Sequence, residues 1–465
     1  MITPRAAVGK RAPIHRAWWI AAITFLALIA SAAFRSSTGA LMEPIENEFG
    51  WSREVTSLAI TVNLVIYGLT APFAAALMQR FGVRQIVAVS LTLVSLGCLA
   101  TVVMSQSWQL LLAWGLAIGI GTGSMALVFG AIIADRWFVR QRGLVTGIFS
   151  AASSTGQLVF LPILAQLINH HGWRTAVWVV AAFSLALVPL VIWLLADSPA
   201  SVGIAAYGAE DASQLDGADQ IDGADHSPAL DANGTAEVAA TFDKAQREAK
   251  PARLAIRTLV ESSRSWTFWV LMVTFFICGW STNGLIGAHF IPAAHDHGMP
   301  PTTAANLLAL IGIFDIVGTI GSGWLTDRVD PRNLLLAYYG LRGLSLLIVP
   351  TVLGSTVDPP LFLFIIFYGL DWVATVPPTV ALCREHFGIG KSGVVFGWVY
   401  ASHMVGAGIA ASFAGAVRAH TGDYRLAWLT AGALCVLAAL SFFSIRERGE
   451  YAEIPGRTSP EGAPV

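Results

Sequence analysis

Apolar residues in this chain come in long unbroken runs separated by short polar turns. Twelve such runs cover roughly 17–41, 56–78, 84–104, 108–132, 144–168, 174–197, 267–292, 304–326, 332–353, 360–382, 393–416 and 425–445. Each reaches the length of about 20 residues that a helix needs to cross a hydrocarbon core. The runs are continuous and lack the alternation of membrane β-strands, so the pattern predicts twelve transmembrane helices rather than a barrel. Tryptophans gather at run ends (Trp18, Trp19, Trp51, Trp108, Trp137, Trp173, Trp266, Trp324), where indoles anchor helices at the interface.

Composition agrees with this reading. Of 465 residues, 55% are hydrophobic and only 12% charged, about half the charged share of an ordinary soluble domain; mean hydropathy is +0.64. A soluble enzyme, a disordered protein and a disulfide-stapled module are excluded. A net charge of −1 removes the basic field that a nucleic-acid partner requires. Cys98, Cys278, Cys383 and Cys435 lie in or beside apolar runs without CxxC or zinc spacing, so they fit small core residues. Neither a metal nor another cofactor is expected, and the absence of a G-x-x-x-x-G-K-[ST] motif excludes ATP as the direct energy source.

Lysine and arginine set the orientation. With the N-terminus in the cytoplasm, 22 of the 28 fall inside, four outside (Arg53, Arg174, Arg418, Arg425) and two within spans (Arg35, Arg342). Both termini are therefore expected in the cytoplasm. The N-terminus mimics a signal peptide, but the apolar segment continues to Leu41 and eleven spans follow, so an uncleaved first span is expected. Residues 1–197 read as one six-helix bundle and 266–446 as a second. Residues 198–265 read as a largely disordered cytoplasmic linker, and 447–465 as a cytoplasmic tail. The linker contains the acidic repeat Asp216-Gly-Ala-Asp219-Gln-Ile-Asp222-Gly-Ala-Asp225, which has nothing to bury.

The halves repeat. Ala75-x-x-x-Gln79-Arg80-Phe81-Gly82-Val83-Arg84 follows span two, and Gly323-x-x-x-Asp327-Arg328-Val329-Asp330-Pro331-Arg332 follows span eight. Asp135-Arg136-Trp137-Phe138 precedes span five as Arg384-Glu385-His386-Phe387 precedes span eleven. The strips after spans two and eight resemble the loop signature G-x-x-x-D-R-x-G-R-[RK] of the major facilitator superfamily, and the resemblance to that family covers nearly all of the chain outside 198–265. It implies a cytoplasmic gate built from Arg80, Gly82, Arg84, Asp135, Arg136, Gly323, Asp327 and Arg328, with Gln79 standing where the first strip should carry an acid. It also implies that spans one, four, seven and ten line a path.

Charges inside spans cost about 2.5–3.5 kcal/mol each on insertion scales and normally face a cavity or a partner. Arg35 (span one), Asp315 (span eight), Arg342 (span nine) and Asp371 (span ten) are such charges, and His403 (span eleven) joins them. At 1.5 Å per residue, Asp315, Arg342, Asp371 and His403 fall in one layer, about 15 Å deep. Arg342 is expected to pair with Asp315 or Asp371, and Asp371, on a lining span, to carry a proton, with Asp315 and Arg342 in the same coupling group. No acid falls within spans one to six, so Arg35 is expected either to receive a substrate carboxylate or to snorkel or pair across the halves. Ser36, Ser37, Thr38, Asn63, Tyr67 and Asn283 are candidate wall residues. His403 is a candidate proton relay, substrate contact or interhelical hydrogen bonder.

The segment Arg35-Ser-Ser-Thr-Gly39, followed by Pro44-Ile-Glu-x-Glu-Phe49-Gly-Trp51-Ser-Arg53, is similar to the first hairpin of monocarboxylate porters and their bacterial organic-anion relatives. Those porters pair a span-one cation with a span-eight Asp that has an Arg one turn on; here Thr319 stands in that place. The expectation is a monomeric secondary transporter in a bacterial inner membrane, moving a small organic anion with a proton by alternating access. The alternative is a carrier or exporter of a neutral vitamin-like or xenobiotic compound.

Overall fold

The computed structural model describes residues 15–209 and 250–445. The acidic repeat and the C-terminal tail lie outside them. Among the described residues, twelve helices are long and apolar enough to cross a membrane: Arg16–Arg35, Val55–Phe81, Val83–Val102, Ser107–Trp137, Arg142–His171, Trp173–Leu194, Trp266–Asp296, Thr302–Thr326, Pro331–Val352, Pro359–Phe387, Ile389–Thr421 and Arg425–Ser444. They are called spans one to twelve below. Glycines in positive φ end spans two, five and ten (Gly82, Gly172, Gly388), and prolines open the helices of spans eight, nine and ten, as expected for short turns between helices.

The packing repeats with a six-span offset. Span one lies on five as seven lies on eleven; two on four as eight on ten; three on six as nine on twelve. The halves meet mainly through two pairs that the same offset exchanges, span five with eight and span two with eleven, and also through four with eleven and five with ten. This is the expected pair of six-helix bundles.

Only some spans run unbroken. Span four has a π-helical stretch at Leu111–Ile118 and breaks at Met125–Ala126. Span seven is π-helical over Trp280–Ile286, and span ten breaks between Asp371 and Val376. Each interruption frees backbone groups that hydrocarbon cannot satisfy, which confines it to a polar cavity or a protein interior.

Three expectations change. The linker is structured at both ends. Residues 198–209 fold back on the 4–5 loop, where Tyr207 bridges Phe138 and meets the Trp18 ring. Pro251–Ser262 is a helix that buries Ala255, Thr258 and Ser262, an i, i+3, i+7 stripe, against spans two and eleven. Trp398 donates to the Ala255 carbonyl at 3.0 Å, and Lys391 pairs with Glu261 at 2.8 Å. Lys391 and Arg257 hold the Glu261 carboxyl below its usual range. A polar segment can order here because one stripe is covered, which composition does not reveal. The third change is that span four continues to Trp137, so Asp135 lies inside a span of the first half.

Spans five and eight touch backbone to backbone near the basic loops. A Cβ on Gly147 would lie 2.6 Å from the Thr319 carbonyl oxygen, and Gly143 and Gly323 approach each other closely one turn below. Gly147→Val should therefore force the pair apart at a cost of about 1–3 kcal/mol. The expected result is a longer spin-label distance between the basic ends of spans five and eight than in the parent protein. An unchanged distance would show that this contact does not set the closure.

Candidate functional site

The cross-half hydrogen bonds described all lie between mid-membrane and the end that carries the basic loops. Asp135 in span four accepts from Arg384 (3.3 Å) and Ser392 (3.0 Å). Asp327 accepts the Gly143 and Leu144 amides at 2.7 and 3.0 Å, capping the N-terminus of span five across the interface. Gln79 donates to the Gly390 carbonyl at 2.9 Å. At the opposite end the ion pairs stay within one half: Glu48 with Arg174, and Asp296 with Arg418, each at 2.7 Å. The Arg174 guanidinium and the Trp173 indole hold the Glu48 carboxyl below its usual range.

Gly323 packs against Gly143 and Gly147 of the other half, and other gate candidates make contacts within their own half. Gly82 and the Arg84 amide meet the Asp197 carboxylate, the amide at 2.9 Å, and Arg136 donates to the Asp197 carbonyl at 3.2 Å. Arg80 lies over the Phe81 ring and Arg328 over the Trp324 ring. Asp197 is thus the acid that meets the first strip, where Gln79 carries none. It was legible only as an acid at the end of the sixth apolar run, because its partners are 61 and 113 residues away.

Above this seal lies a cavity of about 280 Å³ between the halves, lined by both broken spans and by Arg35, Tyr67, Cys278, Asn283, Tyr400 and His403 among others. Arg35 donates to the Tyr67 hydroxyl at 3.0 Å, with its guanidinium 4.6 Å from that ring. The Tyr67 and Tyr400 hydroxyls are 3.0 Å apart across the interface. Tyr400 lies parallel to His403 at 5.7 Å, and His403 Nε2 is 3.4 Å from Asn283 Nδ2. One polar chain therefore joins spans one, two, eleven and seven. Among the described lining residues Arg35 carries the one permanent charge. Asn63 is not on this wall. It donates to the Trp114 carbonyl at 2.6 Å, where the π-helical turn of span four leaves an acceptor. Side chains of Ser36, Ser37 and Thr38 lie outside the described residues.

The other buried charges support the break in span ten. Arg342 reaches Asp371 Oδ2 at 2.6 Å and donates to the freed carbonyls of Asp371 (2.5 Å) and Trp372 (3.2 Å). Of the two acids offered by sequence, Asp371 is the partner; its Oδ1 has no hydrogen bond among the described residues. Asp315 takes the Val373 amide at 2.9 Å, the Thr319 hydroxyl at 2.7 Å, and the Ser154 hydroxyl from the other half. Neither Asp315, Arg342 nor Asp371 lines the cavity, although Trp372, Val373 and Thr375 of the same break do. Sequence reasoning missed Ser154, Tyr400 and Arg384 as site residues. Two of them had a local signal, Tyr400 one turn from His403 and Arg384 in the strip before span eleven.

Two pseudo-symmetric bundles around a mid-membrane cavity that is sealed at one end define a transporter, not an enzyme. The Major Facilitator Superfamily model matches residues 24–383 and 271–463, and the chain belongs to this family. An uncharacterized MFS-type transporter of Bacillus subtilis (strain 168), YcxA, is 25% identical over 413 residues, 86% of this chain and 87% of that protein. Monocarboxylate transporter 13 of Bos taurus is 26% identical over 388 residues, 80% and 76% of the two chains. The solved proton:xylose symporter XylE, bound to 6-bromo-6-deoxy-D-glucose, matches with a TM-score of 0.63 at 15% identity, covering 92% of this chain and 95% of that one.

Proposed function

We propose that the protein carries a small carboxylate together with a proton by alternating access. The observation that carries this reading is the single permanent charge on the described cavity wall, the Arg35 guanidinium, oriented by Tyr67. A planar guanidinium binds a carboxylate through two parallel hydrogen bonds. Low dielectric strengthens that attraction. Asn283 and His403 on the facing half complete a polar lining for the rest of a small molecule. The monocarboxylate transporters among the relatives favour the same cargo class.

Proton coupling is assigned to the group at the span-ten break. Asp371 has one oxygen on Arg342 and the other open to a proton. Asp315 is tied to both halves through Ser154 and Val373, so its protonation would be felt by both. The topology that goes with this reading puts both termini and the basic seal in the cytoplasm, which makes the described form outward-facing. The domains are 1–197 and 266–446, and the unit is a monomer in a bacterial inner membrane.

The test is uptake of radiolabelled pyruvate by protein reconstituted in liposomes. Saturable uptake, several-fold faster with an alkaline interior and reduced to the ungraded rate by a protonophore, is the expected result. Uptake no faster than in empty liposomes, together with saturable uptake of a neutral solute, would favour the neutral-cargo reading instead.

A further inference from the structure

We propose that the Cys278 thiol is a nucleophile on the cavity wall and a site of covalent modification by small α,β-unsaturated carbonyl compounds. Cys98, Cys383 and Cys435 are equally buried, but none of them lines the cavity; Cys278 does, beside Thr282, Asn283, Thr375 and His403. Its surroundings differ from those of a core thiol. Arg342 Nη1 donates to Cys278 Sγ at 3.1 Å, and Thr375 Oγ1 lies 3.4 Å from the same sulfur. A guanidinium N–H makes a stronger hydrogen bond to a thiolate than to a thiol.

A second observation points the same way. His403 packs its backbone against Gly279, the residue after Cys278. It is only 9% exposed, lines the same cavity, and its Nδ1 makes no hydrogen bond among the described residues. An imidazole on the same stretch of cavity wall with an unpartnered nitrogen can accept the thiol proton, the pairing that activates cysteine nucleophiles elsewhere. The π-helical turn that begins at Trp280 follows directly, and its Thr282 and Asn283 line the same cavity.

The reaction balances without an oxidant. The thiol proton passes to His403 and the sulfur lone pair attacks the β-carbon of the conjugated alkene. An S–C bond forms while the alkene π pair moves to the α-carbon, which takes up a proton. The adduct would occupy part of a cavity of about 280 Å³ and displace the Arg342 contact. The labelling does not depend on which cargo the cavity takes.

The probe is N-ethylmaleimide applied to reconstituted protein, with adducts at all four cysteines followed by peptide mass spectrometry. Cys278 should be alkylated at least ten-fold faster than Cys98, Cys383 or Cys435, while unfolding in detergent should make the four rates similar. His403→Gln should slow the Cys278 reaction several-fold in folded protein and leave its rate in unfolded protein unchanged; that comparison removes any effect of accessibility in the denatured chain. Labelling of Cys278 no faster than Cys435, or an unchanged rate in a folded His403→Gln protein, would overturn the proposal.

Discussion

Arg35→Ala is expected to abolish saturable pyruvate uptake in liposomes while leaving the protein folded and inserted. Removing one partner of a desolvated charge-assisted pair costs about 2–5 kcal/mol, which corresponds to a thirty-fold or greater loss of apparent affinity. Arg35→Lys should recover part of the uptake, because it keeps the charge and loses the planar fork. The fold should survive because Arg35 lies on the cavity wall, where it meets the Tyr67 hydroxyl and ring. Thermal stability in detergent is the control. An alanine variant with parental uptake and parental stability would remove the anion assignment and leave the fold standing.

The second large effect concerns the buried pair in the other half. Arg342 is fully buried and Asp371 nearly so, and besides the carboxylate Arg342 holds two carbonyls at the span-ten break. Arg342→Ala should therefore destabilise the protein by about 3–5 kcal/mol, since it strands a buried carboxylate and two freed acceptors. Replacing both charges (Arg342→Met with Asp371→Leu) removes the stranded charge and should regain most of the thermal stability. If Asp371 also carries the coupled proton, the double variant will fold but its uptake will no longer respond to a pH gradient. A stable double variant that still accelerates with an alkaline interior would leave the pair a purely structural role. A double variant as unstable as Arg342→Ala would show that the carbonyl contacts, not the ion pair, dominate.

How much of this was legible depends on the range of the interaction concerned. The twelve spans were readable because crossing hydrocarbon imposes a length and a composition on each segment separately. The depth layer of Asp315, Arg342, Asp371 and His403 was readable for the same reason, since helical rise converts position into depth. The loop strips at Asp135 and Asp327 could be located from sequence, but not their partners. Asp327 meets backbone amides 183 and 184 residues away, and Gln79, Arg84 and Arg136 are served by groups whose spacing has no pattern.

Sequence alone determined the class of solvent this chain lives in, the number of crossings, the sixfold offset between halves and which side chains could not tolerate lipid. Tertiary structure alone decided which of those side chains meet: Asp371 rather than Asp315 for Arg342, Tyr400 for Tyr67, Trp114 for Asn63, and Ser154 for Asp315. The physical reason is that hydration and helix geometry act residue by residue, whereas pairing depends on how each helix is rotated about its own axis. Close glycine contacts and backbone breaks set that rotation, and these become defined only once the helices are packed.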